Sequence, residues 1–354
     1  MTEFAYLCKM NYGNKYSYRQ KSVLLIYTGG TIGMGRNPKT GTLEPLDFDH
    51  LIKNVSEFSY INTKVETYQF SQPIDSSDMS PRLWAHLVRI IAENYDSYDG
   101  FVILHGTDTM AYSASALSFM LEGLKKPVIF TGSQIPLYEL RSDGRDNLIT
   151  SLMIAANSDI HEVCLYFGNH LIRGNRAVKT SADGLIAFSS PNYPVLAKAG
   201  IDIEYFPNRF LPEPKEPFRV TEMKPTSIGV IKLFPGIHFD LFAPIVNKDL
   251  RALVLETFGT GNIPNYDSEL PPLISKAIEN DTAVVVCTQC MQGTVRLGTY
   301  ETSSELARAG AASGSNMTTE ATVTKLQYLF SKGFNAGEVR DWVESDLRGE
   351  LTIG

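Results

Sequence analysis

Short, almost uninterrupted apolar runs alternate with helical patterns through the first two hundred residues, and this alternation most limits what the chain can fold into. SVLLIY (22–27), GFVILH (100–105), PVIFTG (127–132) and EVCLYFG (162–168) read as strands. Between them lie SPRLWAHLVRIIAENYDSY (80–98), DTMAYSASALSFMLEGL (108–124) and SDGRDNLITSLMIAAN (142–157), which read as helices. In the first helix Ser80 can cap the start and Pro81 takes the first helical position. Leu83, Leu87, Ile90 and Ile91 then fall on one face. Strands that are apolar along both faces need cover on both, so the pattern predicts a parallel sheet flanked by helices.

The pattern lapses over 206–227, where prolines and mixed charge replace apolar periodicity. Alternation resumes with IGVIKLF (228–234), ALVLETF (252–258), TAVVVCT (282–288) and the helix SNMTTEATVTKLQYLFSKG (315–333). At 354 residues the chain is long for one core. The expected layout is an N-terminal extension (1–21), a larger doubly wound, mostly parallel α/β domain (22–206), a linker (207–227) and a smaller α/β domain (228–354). The extension has no apolar core of the kind that marks a secretory signal.

Composition excludes several classes. A net charge of −7 disfavours nucleic acid and anionic membrane as partners. No run approaches the ~18 apolar residues of a membrane span. Four cysteines, Cys8, Cys164, Cys287 and Cys290, are too sparse for a disulfide framework and suit a reducing compartment. Cys287 and Cys290 form a C-x-x-C at the end of an apolar run. The sequence has no second C-x-x-C and no H-x-x-x-H to complete a zinc site, so buried thiol is the plainer reading.

Two loops share a design. The strand 22–27 ends in Thr28-Gly29-Gly30-Thr31, and the strand 100–105 ends in Gly106-Thr107-Asp108-Thr109. Both put hydroxyls just past the carboxyl end of a parallel strand, where open α/β sheets bind ligands. Neither phosphate fingerprint is present: Arg36-Asn37 follows Gly35 where a P-loop needs Lys-Ser/Thr, and G-x-G-x-x-G is absent. A tight glycine turn and a catalytic loop both fit these residues. There is no G-x-S-x-G elbow, and the six histidines form no H-E-x-x-H. His105 could be a base, or a satisfied core histidine.

TGGTIG followed by HGTDTMAYSASALSFML resembles the paired signatures of the bacterial-type L-asparaginases. DSSDM, TGSQIPL with RSDG, RGNRAVKTSADGLIAFSSPN, TFGTGN and MTTEATVTKL continue the resemblance in family order from about residue 22 onward. The short approach to the first motif and the MTTEATVTKL stretch are most similar to the cytosolic type I branch. The resemblance implies two α/β domains, a homodimer or dimer of dimers, a cytoplasmic location and no metal or organic cofactor. It implies hydrolysis of the side-chain amide of L-asparagine to L-aspartate and ammonia. It places the nucleophile at Thr31, a second triad on Thr107, Asp108 and Lys179, and substrate contacts on Asp75, Ser76, Ser77, Thr107 and Asp108.

These residue types suit the chemistry. An amide is a poor electrophile, so passing through an acyl-enzyme splits one hard step into two. A threonine hydroxyl needs a base within ~2.6–3.2 Å, a part Lys179 could play if burial leaves its amine neutral. Asp108 could hold both Lys179 and the substrate ammonium, or simply cap the helix that follows. Two departures stand out. The glycine-rich stretch 33–47, expected to be a lid, carries no tyrosine where many family members have one, and Thr42 lies near its place. Glu256 stands where an arginine could have gripped an activating carboxylate, so that regulation is not carried over. Alternatives to the asparaginase reading are a dual glutaminase-asparaginase, the amidase subunit of a tRNA-dependent amidotransferase, and a non-catalytic small-molecule-binding protein.

Overall fold

The computed structural model describes residues 20–37, 39–46, 55, 61–156, 159–264, 270–298 and 301–353. Residues 1–19 of the expected extension lie outside the described residues.

Strand β1 (Lys21–Gly29) is flanked by β2 (Thr63–Ile74) and β3 (Gly100–Leu104) and runs parallel to both. β4 (Val128–Thr131) and β5 (Val163–Phe167) continue the parallel set beyond β3. β6 (His170–Arg173), β7 (Ala197–Ala199) and β8 (Ile203–Tyr205) then add three antiparallel strands. The spatial order is therefore 2-1-3-4-5-6-7-8. The chain leaves β1 in one direction and returns past it to β3, so the order reverses between them. That switch point opens a crevice at the carboxyl ends of β1 and β3.

Side chains of successive strand residues point to opposite faces, and the core divides accordingly. Leu24, Ile26, Phe101 and Ile103 face one apolar cluster, together with helices α1 (Pro81–Asn94) and α2 (Met110–Met120). Val23, Leu25, Tyr27, Val102 and Leu104 face another, with Leu148 and Leu152 of α3 (Gly144–Ala155). Trp84, Leu87, Val88 and Ile91 seat α1 on the sheet. Pro81 opens α1 as its spacing predicts, but Ser80 contributes its carbonyl and makes no side-chain cap. Helix α2 is buried nearly all round, and its alanines and serines let it fit between the sheet and a second helical layer.

The smaller sheet is parallel and runs in chain order: β9 (Ile228–Lys232), β10 (Ala252–Thr257), β11 (Ala283–Thr288) and β12 (Ala312–Ser313). Its helices are α4 (Leu270–Glu279), α5 (Glu301–Arg308), α6 (Thr319–Ser331) and α7 (Ala336–Val343). Helix α6 packs on α2, with Ser115 Oγ 2.7 Å from Thr324 Oγ1. Val254, Val285 and Leu326 thereby join the same cluster as Leu24 and Phe101, so the two sheets share one interior.

The predicted helix 108–124 stops at Met120 because Leu121–Glu122 pairs antiparallel with Arg219–Val220. This pairing ties the proline-rich connection to the larger unit. Glu122 anchors it, accepting from Thr221 Oγ1 (2.5 Å), Arg219 Nε (2.9 Å), Tyr328 Oη (3.0 Å) and Lys332 Nζ (3.0 Å). Burial pushes its carboxyl up, but these four donors outweigh that and bring it down to about 2. A carboxylate held below its unfolded value of ~4.3 stabilises above that pH, and the contribution drains away as pH falls toward 2. Glu122→Gln is therefore expected to flatten the acid limb of stability between roughly pH 4.5 and 2. Urea midpoints measured across that window check this, and an unchanged slope would rule it out.

Candidate active site

Three loops meet at the switch point, and glycines let them touch backbone to backbone. A Cβ on Gly30, where φ is +91°, would sit 2.6 Å from the Cα of Gly106. A Cβ on Gly106 would meet Ser76 Oγ at 2.6 Å. The loops after β1, β2 and β3 are thus locked together, and no side chain larger than hydrogen fits at either contact.

From this junction the sequence-expected residues can be placed. Thr31 opens a single 3-10 turn (Thr31–Gly33) just past β1. It is half-buried, and its hydroxyl makes no hydrogen bond among the described residues. Asp75 caps the 3-10 turn Ser76–Asp78, accepting at 2.9 Å from both the amide and the hydroxyl of Ser77. Those two bonds hold its carboxyl below the usual range. Ser76 is buried, and its carbonyl accepts Thr109 Oγ1 at 2.6 Å, which joins the β2 loop to the β3 loop.

Lys179 reaches the β3 loop from a short strand (Val178–Lys179), donating to Thr107 Oγ1 at 2.9 Å and to Asp108 Oδ1 at 2.6 Å. The Lys179 side chain is 18% exposed and that of Asp108 67%, so the pair sits at a mouth open on the carboxylate side. Asp108 does not cap α2: Thr109 holds that position, and the aspartate is committed to Lys179. The structure brings Thr107, Asp108 and Lys179 into direct contact, and it joins Thr31, Ser76 and Thr107 through their loops.

The residues after Thr31 form a hairpin, Met34–Arg36 with Leu43–Pro45. Leu46 N donates to Gly33 O at 2.9 Å, and Arg36 Nε meets Glu139 at 3.2 Å on the loop after β4. Thr42, in the place expected of the lid tyrosine, is exposed, with its hydroxyl 2.6 Å from Thr40 Oγ1. Tyr27 lies instead beneath the turn: a Cβ on Gly33 would meet its oxygen at 2.2 Å, and burial pushes the phenol up to about 12.

Sequence reading missed Gln134. Its Nε2 donates to the carbonyls of Ala182 and Gly184, both at 3.1 Å. The amide oxygen is thereby turned to Thr107 Oγ1, which donates to it at 3.4 Å. Asp143 holds the backbone amides of Gln134 and Ile135. The rule that singled out the first two loops would have found this one, because Gln134 also follows the carboxyl end of a parallel strand. His105 is fully buried and pushed down to about 4 by loss of solvation. A neutral ring wedged in the core is not a solvent-facing base. Cys287 is likewise core, with its thiol 3.2 Å from Thr322 Oγ1 and pushed up by burial to about 12, whereas Cys290 is exposed. Glu256 accepts Thr319 Oγ1 at 2.5 Å near the start of α6.

The chain matches two adjoining family models: "Asparaginase, N-terminal" over residues 22–210 and "Glutaminase/Asparaginase C-terminal domain" over residues 227–343. It is 46% identical to L-asparaginase 1 of Escherichia coli (strain K12) over 340 residues, 94% of this chain and 99% of that protein. The crystal structure of L-asparaginase I from Vibrio cholerae is similar with a TM-score of 0.88 at 45% identity, covering 95% of this chain and 100% of that one. The thermostable L-asparaginase from Thermococcus kodakarensis gives a TM-score of 0.87 at 31% identity, covering 94% and 100%. Since the matched stretches carry both threonine loops and Lys179 as well as the smaller sheet, the chain belongs to the asparaginase family.

Proposed function

We propose that this protein is an amidohydrolase that converts L-asparagine to L-aspartate and ammonia through a threonine acyl-enzyme. The observation that carries the reading is the contact of Lys179 with Thr107 and Asp108 at a crevice whose facing loop presents Thr31. Thr31 Oγ1 attacks the amide carbon and gives up its proton, which is delivered to the amide nitrogen as the C–N bond breaks and ammonia leaves; water then adds to the ester, the bond to Thr31 Oγ1 breaks, and the hydroxyl takes a proton back as aspartate departs. Lys179, acting through Thr107, is the group that moves the proton, and Asp108 holds the lysine and the substrate ammonium. Ser76 and the amides around it receive the α-carboxylate, with Asp75 and Ser77 fixing the turn that presents them.

The high identity to L-asparaginase 1 of Escherichia coli supports this substrate. We infer further that the enzyme works in the cytoplasm as a homodimer or dimer of dimers. Its described cysteines, Cys164, Cys287 and Cys290, are all free thiols, which suits a reducing compartment. No helix among the described residues is long and apolar enough to cross a membrane.

Ammonia release from L-asparagine and L-glutamine tests the reading directly. Asparagine is expected to be the better substrate by kcat/KM, by ~10–200-fold, the range one methylene supplies. Equal turnover of both amides would make the enzyme a dual glutaminase-asparaginase. No ammonia from either would overturn the hydrolase reading.

A further inference from the structure

A buried relay of hydrogen bonds runs from α1 to the loop that carries Thr107. Trp84 Nε1 lies 2.8 Å from Ser113 Oγ, which lies 2.9 Å from His105 Nε2, and His105 Nδ1 lies 2.7 Å from Gly106 O. Every member is at most 5% exposed apart from the glycine carbonyl at its end, which faces the same interior. The chemistry of the ends fixes every proton. An indole N–H only donates, so Ser113 Oγ accepts from Trp84 and its own proton goes to His105 Nε2. A carbonyl only accepts, so His105 carries its proton on Nδ1 and gives it to Gly106. The ring is neutral, as its burial requires.

The Gly106 carbonyl and the Thr107 N–H belong to one peptide unit, and no peptide among the described residues is cis. In a trans unit these two groups point in opposite directions. With the carbonyl drawn toward His105, the Thr107 N–H points away from the buried ring, on the same residue whose hydroxyl Lys179 and Gln134 meet. That N–H has no acceptor among the described residues.

We propose that His105 is a positioning residue, which turns the Gly106–Thr107 peptide so that the Thr107 N–H donates to the oxygen that becomes negative when Thr31 attacks. The inference rests on the amidohydrolase reading above. An amide donor aimed in advance stabilises developing charge without reorganising at the moment of reaction, which is where such donors have their effect. Ser113 is part of the device, because its proton keeps His105 in the one tautomer that can donate to Gly106. A histidine with its proton on Nε2 would turn a lone pair toward the carbonyl and push the peptide away.

The test compares wild type with His105→Leu, His105→Asn and Ser113→Ala in asparagine hydrolysis, with Tm measured for each. Asparagine places an amide N–H close to the position of Nδ1 and can still hold Gly106. His105→Leu is expected to lower kcat ~10–100-fold with KM within about threefold, and His105→Asn to recover most of it. Removing an oxyanion donor outright costs ~10²–10³, so a misdirected donor should cost less. Ser113→Ala should lower kcat in the same direction and serves if the leucine variant does not fold. Unchanged kcat in a folded His105→Leu or Ser113→Ala enzyme overturns the proposal. So does a rise in KM at constant kcat, which would make the N–H a ground-state contact. Nitrogen NMR of labelled histidine reads the tautomer without turnover. A proton on His105 Nε2 overturns the proposal even if asparagine proves not to be the substrate, whereas an inert wild type with the Nδ1 proton in place overturns only the reading of the reaction.

Discussion

Thr31→Ala is expected to lower kcat for asparagine by at least ~10³-fold and to leave Tm within about 2 °C of wild type. The hydroxyl is the group proposed to bond to the amide carbon, and no solvent nucleophile held at the same place is as effective. Removing the nucleophile of a catalytic group that acts as a unit removes nearly all the covalent contribution at once. Stability is spared for a local reason. Thr31 is half-buried at the start of a three-residue turn, and its hydroxyl bonds to nothing among the described residues, so no partner is orphaned by its loss. Steady-state ammonia release and a thermal melt check both halves. If the variant keeps most of its activity, the first loop is architecture and attack belongs to Thr107.

Lys325→Met is expected to destabilise the fold by ~3–5 kcal/mol at neutral pH, the size seen when one partner of a buried pair is removed. Lys325 and Glu350 are both fully buried, 2.5 Å apart. The ammonium has three protons and three acceptors: Glu350 Oε1, Val343 O and Ser345 O. Burial draws Lys325 below its ordinary range, and the glutamate only partly offsets that. For Glu350 burial works upward, but Lys325 and the amides around 347–350 outweigh it and keep the carboxyl low. Without the lysine, an anion remains in the interior with only the amides of 347 and 348 and the field of the Arg176 guanidinium against it. Its carboxyl should then rise, so the loss should be greatest above roughly pH 6 and shrink as pH falls and the group takes a proton. Lys325→Met combined with Glu350→Leu should recover part of the loss, because a fully apolar replacement leaves no buried charge. Urea midpoints at pH 5 and pH 8 decide it, and equal losses at both would rule out the stranded carboxylate.

The strands β1, β3, β4 and β5 were legible because they are buried on both faces and read as continuous apolar runs. The edge strand β2 was not. Its residues, TKVETYQFSQPI, are mostly exposed or half-exposed, and an edge needs polar side chains more than apolar ones. The antiparallel additions β7 and β8 are three residues each, too short for periodicity to register. Helices α4, α5 and α7 were also unread, as were the few residues by which the proline-rich connection pairs with Leu121–Glu122. In the candidate site, both threonine loops were visible as hydroxyls following parallel strands. Lys179 was visible only through family resemblance, since nothing local separates it from a surface lysine. Gln134 was within reach of the same strand-end rule, since it follows β4, whereas the Trp84–Ser113–His105 relay was not visible at all, because its parts come from separate elements and only the folded chain brings them together.

The shared interior of the two sheets constrains how the molecule can move. Because α2 and α6 contribute to one continuous apolar cluster, swinging one sheet away from the other would expose core rather than slide a wet boundary. A clamshell cycle is therefore closed to this architecture. Breathing at the crevice is left to parts fastened by surface bonds, such as the hairpin held through Arg36 and Glu139, and an exposed ion pair of that kind is worth at most ~1 kcal/mol. The common interior thus fixes the two sheets in one relative placement, while the outer fastening of the hairpin after Thr31 can open at small cost.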